Sequence, residues 1–148
     1  MTGPVLVSAC LLGIACRYDG QSKHCPEITR IPGIIPIPVC PEQMGGLPTP
    51  RNPAYFVGGD GAAIVSGHAR VVDCEGRDVT GCFLKGAQAT AKVAELLGIT
   101  RAILKERSPS CGTRLVTVEG TLVEGMGVTS YLLREQGMSL MNENGEVL

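Results

Sequence analysis

The amino-acid sequence predicts an α/β fold: one domain over residues 1–148, built on a mostly parallel sheet with flanking helices and a small β-hairpin appendage. Three observations carry this expectation. The chain has 148 residues, 44% of them hydrophobic, a length and apolar content suited to one buried core. Aromatic residues make up only 3% and tryptophan is absent. The interior must therefore be built from Val, Ile, Leu and Ala, the composition of parallel strands covered by helices rather than of a β-sandwich. Short strand-like runs also alternate with helical patterns and Gly- or Pro-rich turns, the order of a layered α/β structure.

Residues 4–9, rich in Val and Leu, read as a buried first strand ending at Cys10. Residues 11–20 contain Gly13 and Gly20 with Arg17, Tyr18 and Asp19 between them, which suits a loop or short helical turn. A brief helix fits residues 26–31. Residues 34–39 form a second strand in which Pro36 and Pro38 remove backbone donors, pointing to an edge or irregular strand. The stretch CPEQMGGLPTPRNP, residues 40–53, holds four prolines and a glycine pair. It reads as a long, stiff loop with neither helix nor strand, a kind of loop that often carries function.

Residues 62–74 alternate around Gly67 and predict a peripheral hairpin. Asp78 or Thr80 can cap a helix over 81–97, with Phe83, Ala87, Val93, Ala94 and Leu97 on its apolar side and Gly98 as its stop. Residues 102–104 give a third strand that leads into the polar turn KERSPSCG. A hairpin over 115–123 turning at Glu119 and Gly120, a helix over 127–136, and a weak strand or tail over 139–148 complete the chain.

Composition also excludes function classes. The formal net charge is −1 and Lys and Arg do not run in blocks, so the basic footprint of a nucleic-acid binder is missing and a small-molecule ligand is expected. There is neither a secretory signal pattern nor an apolar run near 20 residues, so the expectation is a cytoplasmic protein with no membrane span. The seven cysteines are then read as free or metal-bound thiols in a reducing compartment, not as disulfides.

Three of those cysteines share a local setting. Cys10, Cys40 and Cys111 each stand where an apolar strand-like run gives way to a polar turn. Thiols delivered to one rim in this way suit a soft metal or a reactive site, and a structural cysteine normally lies among apolar neighbours. In an α/β layer fold that rim is the carboxyl end of the strands, where ligands bind. A zinc site can also be drawn from Cys10, Cys16, His24 and Cys25, but its spacing matches no compact zinc motif, and no C-x-x-C pair occurs. Cys74 and Cys82 flank a turn and read as core or surface residues.

Five blocks, VSACLLGIACRYDG, VCPEQMGGLPTPR, GRDVTGCFLKGA, LKERSPSCG and GMGVTSYLLREQGM, resemble in the same order the family that includes the 2-thiouracil desulfidases. The resemblance implies that Cys10, Cys40 and Cys111 ligate a 4Fe-4S cluster with one iron lacking a protein ligand. It implies non-redox desulfuration of a thiolated pyrimidine such as 2-thiouracil, giving the oxo compound and hydrosulfide. Three thiolates leave one iron free to act as a Lewis acid, whereas an electron carrier normally has four. Glu42, two residues from Cys40, is the expected general base, with Ser108 as a second catalytic residue. Ser110, Arg51 and Lys105 are the expected substrate contacts, and Arg17 with Asp19 is expected to brace its loop. Two alternatives stand beside this reading: a structural or electron-transfer iron-sulfur protein using a fourth ligand such as Cys16, and a zinc-stabilised binding module.

Overall fold

The structure is a computed structural model and describes residues 2–148. In chain order the strands are β1 (Gly3–Ser8), β2 (Ile34–Val39), β3 (Ala54–Val57), β4 (Arg70–Asp73), β5 (Arg101–Leu104), β6 (Leu115–Val118), β7 (Thr121–Glu124) and β8 (Ser139–Asn142). The helices are α1 (Pro26–Thr29), α2 (Pro41–Met44), α3 (Gly61–Val65), α4 (Thr80–Leu97) and α5 (Val128–Glu135). Among these residues no helix is long and apolar enough to cross a membrane.

The strands form two four-stranded sheets, the first in the order β2-β1-β5-β8 and parallel throughout. Val5, Leu6 and Val7 at its centre are fully buried, as an unbroken apolar run in a doubly covered strand requires. The prolines of β2 are tolerated because that strand is an edge. Residues 36 and 38 share one side of the strand's hydrogen-bonding direction, so both missing donors fall where no neighbour stands. The second sheet has the order β4-β3-β6-β7. Within it β3 runs parallel to β6, while β3–β4 and β6–β7 are antiparallel pairs. The β6–β7 hairpin turns at Glu119 and Gly120, both with positive φ (49° and 82°), the backbone that a two-residue hairpin loop needs.

The α/β class and the mostly parallel sheet are as the sequence predicts, and three local expectations are corrected. Residues 62–74 are not a hairpin: Gly61–Val65 is helical, and Arg70–Asp73 pairs with β3, a strand that the sequence reading did not assign. The local alternation is real, but β4 finds its partner across the helix rather than next to it. Residues 40–53 are not all loop, because Pro41–Met44 makes one helical turn. Proline at the first helical position loses no hydrogen bond, so Pro41 starts the turn instead of preventing it. Leu97, expected on the apolar side of its helix, is largely exposed.

Two helices join the sheets. The first half of α4 buries Phe83 and Ala87 against Phe56, Val71 and Val116 of the second sheet. Its second half buries Ala91 and Ala94 against Leu6, Ala102 and Leu104 of the first. α5 repeats this, with Val128 in one cluster and Leu133 in the other. The chain leaves β1 toward β2 on one side and β5 on the other. The carboxyl ends of these parallel strands therefore diverge around a switch in strand order, the position where an open α/β sheet leaves a crevice.

Candidate active site

That crevice is a cavity of about 340 Å³. Cys10 enters it from the tight turn Ala9–Leu12 that follows β1. Cys40 follows β2 as the residue before α2, and Cys111 lies on the loop after β5. The three cysteines singled out by their strand-end setting thus share one cavity. Cys10 and Cys111 are only 7% and 4% exposed and pack in apolar clusters, as a structural cysteine does, yet both line the crevice.

Cys16, expected as a ligand only in the four-thiol and zinc alternatives, also lines the cavity. The loop after β1 doubles back, with the Ile14 N–H donating to the Ala9 carbonyl at 3.2 Å, and this returns Cys16 to the rim. The Cys40 thiol donates to the Cys16 carbonyl oxygen at 3.7 Å, and the neighbouring Cys10 and Cys40 thiols both act on the Cys16 thiol. The six-residue separation from Cys10 across a glycine was the only sequence signal for it. The zinc set does not assemble: the Cys25 thiol donates to Glu27 at 3.3 Å, and His24 packs beside Gly13.

The surroundings of Cys16, Cys40 and Cys111 favour the protonated thiol. The bond with Cys10 is the main cause that raises Cys16, with burial adding to it and the Cys40 bond opposing it. For Cys40 the bond with Cys16 and then burial act in the same upward direction. Burial pushes the Cys111 thiol up to about 12, against the lowering effect of the Ser8 and Ser108 hydroxyls. Thiolate ligation here must therefore displace protons, which couples metal loading to pH.

Glu42 sits in the first turn of α2 and faces the cavity. Its Oε1 accepts from the Arg51 Nε at 3.0 Å and its Oε2 from the Ser110 hydroxyl at 3.3 Å. The arrangement depends on the contact between α2 and α4. A Cβ on Gly86 would overlap the Pro41 carbonyl, with the Pro41 carbonyl carbon at 2.8 Å, and a Cβ on Gly45 would meet the Cys82 carbonyl carbon, also at 2.8 Å. Only hydrogen at both positions lets the short helix carrying Glu42 sit this close.

The other expected site residues are distributed as follows. Arg51, besides holding Glu42, donates through Nη1 to the Pro48 carbonyl at 3.2 Å and the Thr49 hydroxyl at 3.0 Å. Lys105 pairs with Glu143 at 2.8 Å while lining the cavity. The Ser108 oxygen accepts the backbone N–H groups of Ser110 and Cys111 at 3.1 and 3.0 Å, so it shapes the turn that presents Cys111. Ser110 is 2% exposed and reaches Glu42 from behind. Arg17 and Asp19 pair at 4.0 Å, with Arg17 over the Tyr18 ring. Ser8, at the end of β1, lines the cavity and accepts the Lys105 backbone N–H at 2.9 Å.

Four thiols in one cavity make a soft donor set of the kind that takes iron-sulfur clusters. Beside them an anchored carboxylate can exchange a proton with a small bound molecule. Comparison with known proteins gives the same direction. The 2-thiouracil desulfurase family matches residues 5–145. The chain is 39% identical over 144 residues to the uncharacterized protein YbbK of Bacillus subtilis (strain 168), covering 95% of each chain. It is also similar to a solved structure of the [4Fe-4S]-dependent thiouracil desulfidase TudS, with a TM-score of 0.79 and 38% identity, covering 97% of this chain and 92% of that one.

Proposed function

The chain belongs to the 2-thiouracil desulfurase family, and on that premise we propose that it hydrolyses the C=S bond of a small thiolated pyrimidine such as 2-thiouracil. The products are the oxo compound and hydrosulfide, with no net redox change. Cys10, Cys40 and Cys111 would hold a 4Fe-4S cluster. When bound, that group supplies a Lewis-acidic iron without a protein ligand, suited to the sulfur of the thiocarbonyl.

The chain's own residues supply the rest. The cavity of about 340 Å³ is of the size that small-molecule sites have. Glu42 takes a proton from the water that adds to the thiocarbonyl carbon, Arg51 and Ser110 holding one carboxylate oxygen each. The C–S bond then breaks, the carbon keeps oxygen as a carbonyl, and sulfur departs as hydrosulfide. Ser108 holds the turn of Cys111 and has its hydroxyl at the cavity wall. Lys105, tied to Glu143, bounds the substrate space. The sharing of α4 and α5 by both sheets supports reading the chain as one desulfidase domain.

One observation carries this reading: three cysteines from the ends of three parallel strands share a cavity with a carboxylate anchored on both oxygens. The test is anaerobic preparation followed by iron and acid-labile sulfide analysis and a 2-thiouracil assay. About four of each per chain are expected, lost on replacing Cys10, Cys40 or Cys111 by Ser. Glu42→Gln should keep the cluster and lose turnover; full activity in that variant removes Glu42 from the chemistry. A second reading, an electron-transfer or structural cluster with four protein ligands, is favoured by the place of Cys16 on the same cavity. Cys16→Ser discriminates: retained iron and retained turnover support the desulfidase, and cluster loss supports the four-thiol site.

A further inference from the structure

Glu106 is 6% exposed, and its carboxylate gathers an unusual number of donors. Oε1 accepts the backbone N–H groups of Thr113 at 2.9 Å and of Arg114 and Leu115 at 3.0 Å, with that of Arg107 at 3.3 Å. Oε2 accepts the Thr113 hydroxyl at 2.7 Å and the Asn142 side-chain amide at 2.8 Å. These donors come from both ends of the loop that carries Ser108, Ser110 and Cys111, and from the end of β8. Burial opposes ionisation here. The bonds from Arg114, Asn142, Leu115 and Thr113 nonetheless outweigh it and bring the carboxyl down to about 2, so the group is a carboxylate at neutral pH.

Although Glu106 borders the cavity, both its carboxylate oxygens are taken up by donors of the loop and of Asn142. The same segment is held from outside as well: the Glu106 N–H donates to Glu143 at 2.7 Å and Lys105 Nζ donates to the Glu106 carbonyl at 2.8 Å. Arg107 between them adopts φ 66°, a left-handed conformation that costs a residue with a side chain free energy and persists where surroundings impose it. We propose that Glu106 is the positioning residue for the Cys111 turn: a hydrogen-bonded knot that ties residues 107 and 113–115 together and sets where the third thiolate and its two serines stand. Asn142, the last residue of β8, and Glu143 next to it extend this support. The inference rests on the cluster reading above and adds a residue that borders the cavity and acts through the turn it ties.

Glu106→Gln is the direct test. Its amide nitrogen in place of Oε2 would face the Asn142 amide nitrogen as donor against donor. Asn142 cannot flip freely, because its Oδ1 accepts from Asn144 and Glu146 at 3.0 Å. Combining Glu106→Gln with Asn142→Asp restores a donor–acceptor pair, and Glu146→Gln is added because the Asn142 amide also donates to Glu146 Oε1 at 3.0 Å. Two readouts are taken: hydrogen exchange of amides 113–115 in the cluster-free chain, and the rate at which a chelator removes iron from the loaded protein. Val71→Ala, in the second sheet's core, is the control for general destabilisation.

Glu106→Gln should speed exchange at 113–115 and raise the iron-loss rate by about tenfold or more, the scale seen for outer-shell partners of metal ligands. The combined variant should recover most of both, and Val71→Ala should change neither. Should Glu106→Gln not fold, Asn142→Ala removes one donor and should show both effects at smaller size. Faster amide exchange with unchanged iron loss overturns the positioning role while leaving the cluster reading intact. Equal iron loss in Glu106→Gln and Val71→Ala overturns it too. Wild-type protein that takes up no iron rejects the cluster reading itself, and the positioning of a ligand falls with it.

Discussion

Two glycines of α4 should respond to the same substitution with opposite sign. Gly86 faces α2, and a Cβ there would overlap the Pro41 carbonyl with the carbonyl carbon at 2.8 Å, whereas a Cβ on Gly81 meets nothing within 4 Å. Ordinary van der Waals contact starts near 3.4 Å. Gly86→Ala must therefore push the two helices apart by about 1 Å or strain the backbone, at a cost of about 1–3 kcal/mol. Gly81→Ala removes unfolded-state freedom without a clash and should stabilise by about 0.5 kcal/mol. The functional consequence is larger for Gly86. α2 carries Cys40 at its start and Glu42 in its first turn, so a retreat of about 1 Å stretches the 3.0 Å bond between Arg51 and Glu42 beyond hydrogen-bonding range. Misplacement on that scale lowers turnover by about a hundredfold. Urea unfolding of the cluster-free variants gives the stabilities, and 2-thiouracil turnover at matched iron content gives the activities. Equal stability for the two variants, or full turnover in Gly86→Ala, would refute the close-approach argument.

Glu106 makes a pH-dependent contribution of known sign. Its carboxyl is near 4.5 ordinarily and about 2 when folded. The unfolded chain therefore binds its proton first as pH falls, and stability present above pH 4.5 is lost on descent through pH 2. The shift corresponds to about 3 kcal/mol, so the stability gap between wild type and Glu106→Gln should close by about that amount between pH 6 and pH 2. Taking the difference cancels Asp73 and Asp78, whose carboxyls are also lowered, chiefly by the Arg77 backbone N–H and the Thr80 hydroxyl respectively. A gap that does not change with pH would count against the hydrogen-bonded carboxylate. Arg51→Lys keeps a cation but loses the planar fork that reaches Glu42, Pro48 and Thr49 together. If Arg51 acts through Glu42, kcat falls by roughly tenfold to a hundredfold with KM unchanged; a rise in KM alone would mark it as a substrate contact instead.

Much of the fold was legible in the chain because it depends on local pattern. The unbroken apolar run of β1, the helix stopped by Gly98, and the turn at Glu119 and Gly120 each follow from side-chain periodicity or backbone preference within a short window. The strand-end setting of Cys10, Cys40 and Cys111 was legible for the same reason: a parallel sheet brings the carboxyl ends of its strands to one edge. Where a pairing spans the chain, the pattern was silent. β4 alternates as a strand should, yet its partner β3 lies on the far side of α3, and nothing local identifies it.

The site shows the same division. By itself the sequence determined the residue types that can do the chemistry, three strand-end thiols and a carboxylate in a proline-stiffened segment, and the family whose motifs they share. Tertiary structure decided how each is used. It returned Cys16 to the cavity and joined Arg51 and Ser110 to Glu42. It also turned Ser108 to the backbone of its own turn and made Glu106 the knot that ties the Cys111 loop. Hydrogen bonds between residues far apart in the chain, such as Ser110 to Glu42 at 68 positions and Lys105 to Ser8 at 97, leave no periodic trace along it. They come into being only when packing carries the partners to within about 3 Å.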